Sequence, residues 1–210
     1  MRTLKKFRFL FLSLAVCCFC ACGGKTSQRS VTPAGTPDNA SNALLTGKYN
    51  VEIDVQNYGV IAVTLDADAA PITVTNFINL VKEGFYDGLT FHRIYSGFMI
   101  QGGDPQGNGY GGSDKKIKGE FAANGYNNPI SHTRGTISMA RAKDYNSASS
   151  QFFIMHRDNF TLDGKYAAFG HVTSGMEIVD QICADAKPID NNGSIAAKEQ
   201  PVIKSIRIVE

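Results

Sequence analysis

The segment that most constrains the fold has the sequence FHRIYSGFMIQGGD, from Phe91 to Asp104. Apolar and polar residues flank the pair Ser96-Gly97 and then give way to two glycines, a pattern typical of two short strands joined by a tight turn. Arg93 lies among apolar neighbours, where a cation is costly unless a partner or a ligand needs it. The segment therefore indicates a hairpin that carries a binding surface. A hairpin with an incidental arginine is the alternative.

Alternation along the second strand predicts which side chains share a face. Because successive side chains point to opposite sides of a strand, Met99 and Gln101 are expected on one face and Phe98 and Ile100 on the other. A methionine and a glutamine beside the arginine on an outer face favour a surface that binds a ligand.

The first 22 residues have the pattern of a bacterial lipoprotein signal peptide. A basic start precedes an apolar run from Phe7 to Cys20, which is shorter than the roughly 20 apolar residues of a spanning helix. Cys22 then follows small residues, as the lipidated cysteine of a lipoprotein does, although Phe19 and Cys20 depart from the usual residues before it. Cys17 is a rival position, and ordinary signal cleavage is the alternative. We predict an exported protein, held by lipid at a membrane of the bacterial cell envelope.

Cysteine usage and charge restrict the remaining chain. Four of the five cysteines lie in the signal segment, so Cys183 has no partner for an internal disulfide and is interpreted as a buried apolar side chain. The chain has 21 basic and 19 acidic residues, and four of the basic ones belong to the signal peptide. The processed protein is therefore slightly acidic, and nothing in its charge indicates a nucleic-acid partner.

Composition divides the chain into three parts. Residues 1–22 are the predicted signal peptide. Residues 23–46 are mostly Gly, Ser, Thr, Pro, Asn and Ala, which bury too little apolar surface to offset the entropy of ordering, so they are predicted to be a flexible tether. Residues 47–210 have the size of one domain. A tethered single domain makes a monomer the default expectation.

Short segments of alternating polarity recur through the domain. A helix is predicted to begin at Pro71 and to end at Gly84, because Val74, Phe77, Ile78 and Val81 recur at helical spacing and form one apolar stripe. A second helix is predicted over Glu177–Ala184. Many short strands with two helices favour a mainly β domain, either a closed antiparallel barrel capped by two α-helices or an open sheet packed on helices. Further strands are predicted at Tyr49–Gln56, Val60–Leu65, Thr136–Ala140, Gln151–His156, Ala167–Val172 and Val202–Ile208.

Five motifs occur in order along the domain: FHRI, GFMIQGGD, SMA, SQFFI and LDGK. With them, the chain from about Tyr49 to Glu210 resembles the cyclophilins, a family of peptidyl-prolyl cis-trans isomerases. The resemblance implies a closed eight-stranded barrel with two capping helices. It also implies proline-containing polypeptides as partners and a reaction without metal or cofactor.

The resemblance also assigns roles to residues. Arg93 matches the catalytic arginine of the family, and Gln101 and Phe98 are grouped with it as catalytic. The positions expected to bind the proline ring and the flanking peptide are Met99, Gly109, Ala140, Arg141, Ala142, Gln151, Phe153, Leu162 and Tyr166.

Three positions depart from the pattern of eukaryotic members. Thr161 stands where a tryptophan is common, Tyr166 where a histidine is common, and Arg141 where an asparagine is common. The family contact at Arg141 is largely through the backbone, so isomerisation is expected to survive, whereas binding of cyclosporin-type inhibitors is expected to be weak.

Other motifs and functions are less well supported. Gly107, Gly109 and Gly112 have the spacing of a dinucleotide-binding loop but no helical pattern follows them, and the four histidines lack metal-ligand spacing. Ser149 and Ser150 form no recognisable nucleophile arrangement. A proline-peptide binding module or chaperone with incidental catalysis remains an alternative function. A barrel that carries a small ligand is another, and it would require a hollow interior.

The signal sequence generates the first testable prediction. When the full chain is expressed in a bacterium that processes lipoproteins, mass analysis of the mature protein is expected to find a lipid-modified Cys22 at its N-terminus. The variant Cys22→Ser is expected to lose that lipid and to keep its N-terminal segment, because serine has no thiol to receive the lipid. A free N-terminus at any other residue would contradict the assignment.

Overall fold

The computed structural model describes residues 43–210, which form eight antiparallel strands and two α-helices joined by long loops. Where alternation predicted a strand, the observed bounds lie within two residues of the prediction. The strands are β1 (Lys48–Val55), β2 (Gly59–Asp66), β3 (Phe91–Tyr95), β4 (Met99–Gly102), β5 (Thr136–Met139), β6 (Phe152–Met155), β7 (Ala168–Ser174) and β8 (Ile203–Val209).

The predicted signal peptide, its lipidation site Cys22 and the tether up to residue 42 lie outside the described residues. Between residues 43 and 210, no helix is both long and apolar enough to cross a bilayer.

The prediction of a closed barrel is wrong at one seam. The strand order is β3-β4-β6-β5-β7-β2-β1-β8, and the end strands β3 and β8 do not pair along their length. A single isolated bridge joins Thr90 to Val202 there. Beyond that bridge a loop takes the place of β8: the N–H of Ile94 donates to the carbonyl of Gly193 at 2.8 Å. Because this loop occupies the edge of β3, the sheet is an open half-barrel.

Two helices pack on the sheet. Helix α1 (Pro71–Lys82) contacts β2 and β8, and helix α2 (Met176–Asp185) contacts β2 and β3. The apolar stripe expected on α1 is fully buried at Val74, Phe77 and Ile78, so the helical spacing in the sequence gave the buried face correctly.

Large apolar side chains fill the inside of the half-barrel. The ring of Phe77 lies 5.0 Å from Tyr86, 5.6 Å from Phe152 and 5.2 Å from Phe169, measured between centroids. Such tilted and edge-on contacts are typical of a close-packed core, which argues against a hollow barrel that carries a ligand. Cys183 is also buried, and this burial raises the pKa of its thiol to about 12.

The N-terminus of α1 is capped by a residue from a distant part of the chain. The residue before the helix is Ala70, which has no side-chain acceptor. Instead, the buried carboxylate of Glu120 accepts from the N–H groups of Ile72 and Thr73, at 2.9 and 2.8 Å, and from the hydroxyl of Thr73 at 2.7 Å. A carboxylate at this position satisfies free N–H groups and favours the positive end of the helix dipole.

Removing this cap is expected to destabilise the protein. Glu120→Ala leaves buried donors without an acceptor, so the free energy of unfolding is expected to fall by about 2–4 kcal/mol. Glu120→Gln keeps one acceptor oxygen and the shape, so its loss is expected to be about half as large. Urea unfolding of the two variants measures this difference, and a loss below about 0.5 kcal/mol for Glu120→Ala would contradict the capping role.

Candidate active site

Strands β4 and β6 present different side chains to the two sides of the sheet. Ile100 and Ile154 are paired neighbours that belong to the main core. The alternate residues Met99, Phe153 and Met155 form a second buried cluster on the opposite side. Part of this cluster lines a surface cleft of about 890 Å³. The period of two along the strands therefore separates the cleft from the core.

Phe98 lies on the cleft side, contrary to the expectation from simple alternation. It precedes β4 and follows Gly97, whose φ of 83° belongs to the tight turn between β3 and β4. The turn breaks the alternation, so Phe98 packs with Met99 on the second cluster while Ile100 faces the core.

Apolar side chains form one end of the cleft. Phe153 lies at its base, 95 % buried, with the ring of His132 stacked at 6.0 Å behind it and Tyr166 packed edge-on at 5.8 Å. Met99 and Leu162 complete the wall. Because Phe153 has aromatic contacts on two sides, this end is a preformed apolar surface.

Arg93 begins a chain of hydrogen bonds along the polar side of the cleft. Its Nε donates to the carbonyl of Asn192 at 2.7 Å, and its Nη1 donates to Oε1 of Gln101 at 3.3 Å. Nε2 of Gln101 donates to Oε1 of Gln151 at 2.8 Å, and Nε2 of Gln151 donates to the carbonyl of Gly111 at 2.7 Å. Burial lowers the pKa of the Arg93 guanidinium, but arginine remains charged in proteins.

The glycine-rich loop beside this chain is organised by Asp104. Its buried carboxylate accepts from the N–H groups of Gln106, Asn108 and Gly109, at 2.8, 3.1 and 2.6 Å. Burial alone would raise the pKa of Asp104, but these N–H groups lower it overall. The G-x-G-x-x-G spacing therefore belongs to a loop folded around a carboxylate, with no helix N-terminus to receive a dinucleotide.

Arg141 is fixed between three aromatic rings at the rim. Its guanidinium carbon lies 5.1, 4.8 and 4.7 Å from the ring centroids of Phe121, Tyr145 and Tyr166. Its Nε and Nη2 both donate to the carbonyl of Lys165, at 3.0 and 2.8 Å. Its Nη1 donates to the carbonyl of Ala142 at 2.9 Å, so the side chain joins its own loop to the loop at Lys165.

The structure brings the predicted site residues together. The main cleft is lined by Arg93, Phe98, Met99, Gln101, Gly109, Ala140, Arg141, Phe153, Leu162 and Tyr166. Ala142 and Gln151 line a second cleft of about 430 Å³, which shares Gln101, Gly109, Ala140 and Arg141 with the first. Thr161 lies in the short turn Phe160–Leu162 beside the apolar end, where its N–H donates to Asn159 at 3.2 Å.

Sequence reasoning missed one side of the cleft. The loop after α2 contributes Asn192, whose carbonyl holds Arg93, and the exposed Ile189. Its residues signal a turn and nothing more, because no periodicity or charge pattern connects them with Arg93. His92 also lines the cleft, and burial lowers the pKa of its imidazole.

Known proteins match both the sequence and the fold. The family model described as cyclophilin type peptidyl-prolyl cis-trans isomerase/CLD matches residues 50–210. The chain belongs to the cyclophilin family. Because the match covers nearly all the residues that form the sheet, the family and its enzymatic class apply to the whole folded domain.

Individual cyclophilins from bacteria and a protozoan illustrate the similarity. Peptidyl-prolyl cis-trans isomerase B of Bacillus subtilis is 51% identical over 111 residues, which are 52% of this chain and 73% of that protein. A peptidyl-prolyl cis-trans isomerase of Helicobacter pylori is 47% identical over 128 residues, 60% of this chain and 76% of that one. The crystal structure of a Cryptosporidium parvum cyclophilin has a TM-score of 0.69 at 30% identity and covers 78% of this chain and 99% of its own.

The hydrogen-bond chain generates a prediction about the site. Gln151→Glu keeps the side-chain shape but replaces a donor by a carboxylate that faces the carbonyls of Gly109 and Gly111. The loop is expected to move away, lowering kcat/KM for an X-Pro peptide by about tenfold or more. The same change at the exposed Gln56, in the turn after β1, serves as control. Equal kcat/KM for the two variants would show that the hydrogen bonds of Gln151 do not position the glycine-rich loop.

Proposed function

We propose that this protein accelerates X-Pro isomerisation in polypeptides that fold outside the cytoplasm, while lipid on Cys22 holds it at the cell envelope. The isomerase chemistry is that of its family. The export and the anchor are supported by the basic start, the short apolar run and the small residues around Cys22. The observation that carries the catalytic part is a half-buried arginine directed along one side of an apolar cleft.

The reaction requires stabilisation of a twisted amide. Rotation about the C–N bond meets a barrier of roughly 18–20 kcal/mol because the nitrogen lone pair is delocalised. At an X-Pro bond both isomers are close in energy, yet they exchange in tens to hundreds of seconds. No bond is broken, so the site has to bind the twisted form better than either planar form.

Arg93 can supply that stabilisation. When the amide twists, its nitrogen regains a lone pair that can accept a hydrogen bond. The hydrogen bonds of Arg93 to residues 43–210 use Nε and Nη1, so Nη2 is available to a bound peptide. In a partly dry cleft, a fixed cationic donor acts more strongly than it would in water.

The apolar end of the cleft can hold the proline ring while the preceding carbonyl turns. Phe98, Met99, Phe153 and Leu162 provide the contact surface, and they require no polar partner from the ring. Gln101 and the backbone of Arg141, which both line the cleft, can then hold the peptide on either side. Fixing both ends confines the motion to the rotating bond.

A solved relative supports proline-containing peptides as the substrate class. A Cryptosporidium parvum cyclophilin, with a TM-score of 0.68 and 31% identity over 77% of this chain and 99% of its own, was crystallised in the presence of the dipeptide Ala-Pro. A module that merely binds proline peptides would have no need of a held cation beside the pocket. Arg93 therefore favours the enzyme over that alternative.

An isomerisation assay with the purified protein tests the mechanism. Arg93→Ala is expected to lower kcat/KM by about a hundredfold, because it removes both the donor to the twisted nitrogen and the hydrogen bond that orients Gln101, at about 1.4 kcal/mol each. Arg93→Lys keeps the charge without the planar fork and is expected to lie between Arg93→Ala and the natural protein.

Arg207→Ala is the matched control, since Arg207 pairs with Asp87 at the surface of β8, away from the cleft. The affinity for an Ala-Pro peptide, measured in parallel, is expected to change much less than kcat/KM. Equal rates for Arg93→Ala and the natural protein, or an equal loss of rate and affinity, would favour a binding module instead.

A further inference from the structure

His156 connects the turn that carries Phe98 to helix α2. It follows β6 directly and is 92 % buried. Its backbone N–H donates to the carbonyl of Phe98 at 2.9 Å, while its ring Nδ1 accepts from the N–H of Gly97 at 2.8 Å. On the other side of the ring, Nε2 lies 3.0 Å from Oδ1 of Asp180 on α2. One residue thus holds the backbone on both sides of the Phe98 peptide unit.

The two ring contacts require one protonation state. Gly97 offers an N–H, so Nδ1 has to carry a lone pair. Asp180 offers a carboxylate oxygen, so Nε2 has to carry the proton. Both are satisfied by the neutral tautomer with its proton on Nε2. A second proton, on Nδ1, would face the Gly97 N–H and replace a hydrogen bond with a repulsion.

We propose that His156 is a positioning residue for isomerisation: its neutral ring fixes the turn between β3 and β4, and thereby Phe98 in the proline pocket, and its protonation releases the turn. The inference rests on the isomerase function, since Phe98 matters through the peptide that the cleft binds. His156 lies between the motifs SQFFI and LDGK and belongs to neither, and the contacts described for the cleft do not include it.

The charges around His156 determine when it titrates. Burial lowers the pKa of its imidazole, and Arg134 and Arg157 lower it further, whereas Asp180 raises it. The ring is therefore neutral at pH 7 and gains its second proton below the usual histidine value of about 6.5. Cys183 on α2 stays a neutral thiol, because burial raises its pKa to about 12.

Asp180 itself remains a carboxylate through this range. The guanidinium of Arg134 donates two hydrogen bonds to it, at 2.7 and 2.8 Å, and these hydrogen bonds lower its pKa. Arg134 also donates to the carbonyl of His156 at 2.9 Å. Acidification therefore protonates His156 while Asp180 and Arg134 keep their charges. The hydrogen bond that is lost is the one between Nδ1 of His156 and the N–H of Gly97.

The natural protein gives the first measurement. Its kcat/KM for an Ala-Pro peptide is expected to fall by about fivefold between pH 7.5 and the acid side of the His156 titration, since one hydrogen bond that positions Phe98 is lost.

Two near-isosteric variants separate the two ring nitrogens. In His156→Asn the amide oxygen can take the place of Nδ1 and accept from Gly97, but the side chain does not titrate. In His156→Gln the amide nitrogen can take the place of Nε2 near Asp180, but nothing accepts from Gly97. His156→Asn is expected to keep most of kcat/KM at pH 7.5 and to lose the acid decline. His156→Gln is expected to be about fivefold slower at both pH values.

A nuclear magnetic resonance titration makes the test independent of catalysis. The amide proton resonance of Gly97 is expected to move with the pH midpoint of His156 in the natural protein and in Arg93→Ala, and to stay fixed in His156→Asn. If Gly97 titrates but no protein shows isomerase activity, the isomerase function fails and the contact stands. A Gly97 resonance that ignores pH, an unchanged acid decline in His156→Asn, or equal kcat/KM for the two variants at pH 7.5 would overturn the proposal.

Discussion

The cleft depends on how the positive charge of Arg93 is held. Within residues 43–210 no carboxylate lies within ion-pair distance of its guanidinium, which is held by the carbonyl of Asn192 and the amide of Gln101 instead. Neutral acceptors fix the direction of the side chain without cancelling its charge. Because arginine can only donate, it also sets the orientation of Gln101, and Gln101 in turn sets that of Gln151. The charge of Arg93 therefore sets the orientation of two side-chain amides along the cleft.

The same strands supply the core and the cleft. Ile100 and Ile154 anchor β4 and β6 in the core, while Met99 and Phe153, one residue earlier on each strand, project into the cleft. A slip of one residue in either strand would exchange the two sets. The position of the proline pocket is thus determined by the burial of its neighbours, which is a far larger energetic term than any single contact in the site.

Local pattern was enough to predict most of the strands, both helices and the buried face of α1, because each depends on residues close together in sequence. The motifs that resemble the cyclophilins located Arg93, Gln101 and Phe153 for the same reason. The open seam was not predictable, because it depends on a loop near Gly193 competing with β8 for the edge of β3. The side of the strand on which Phe98 lies depends on a turn conformation at Gly97 that alternation does not describe.

The cap on α1 has a consequence for how the domain is made. Glu120 is separated from Thr73 by 47 residues, so the helix has to wait for that stretch of chain before its first turn is complete. A short helix is marginal by itself in water, and closing so long a segment is slow compared with winding a helix. The chain from Asp104, at the edge of the cleft, leads to Glu120 through the glycine-rich loop. During synthesis, the first turn of α1 therefore stays without its cap until the chain has been made as far as Glu120.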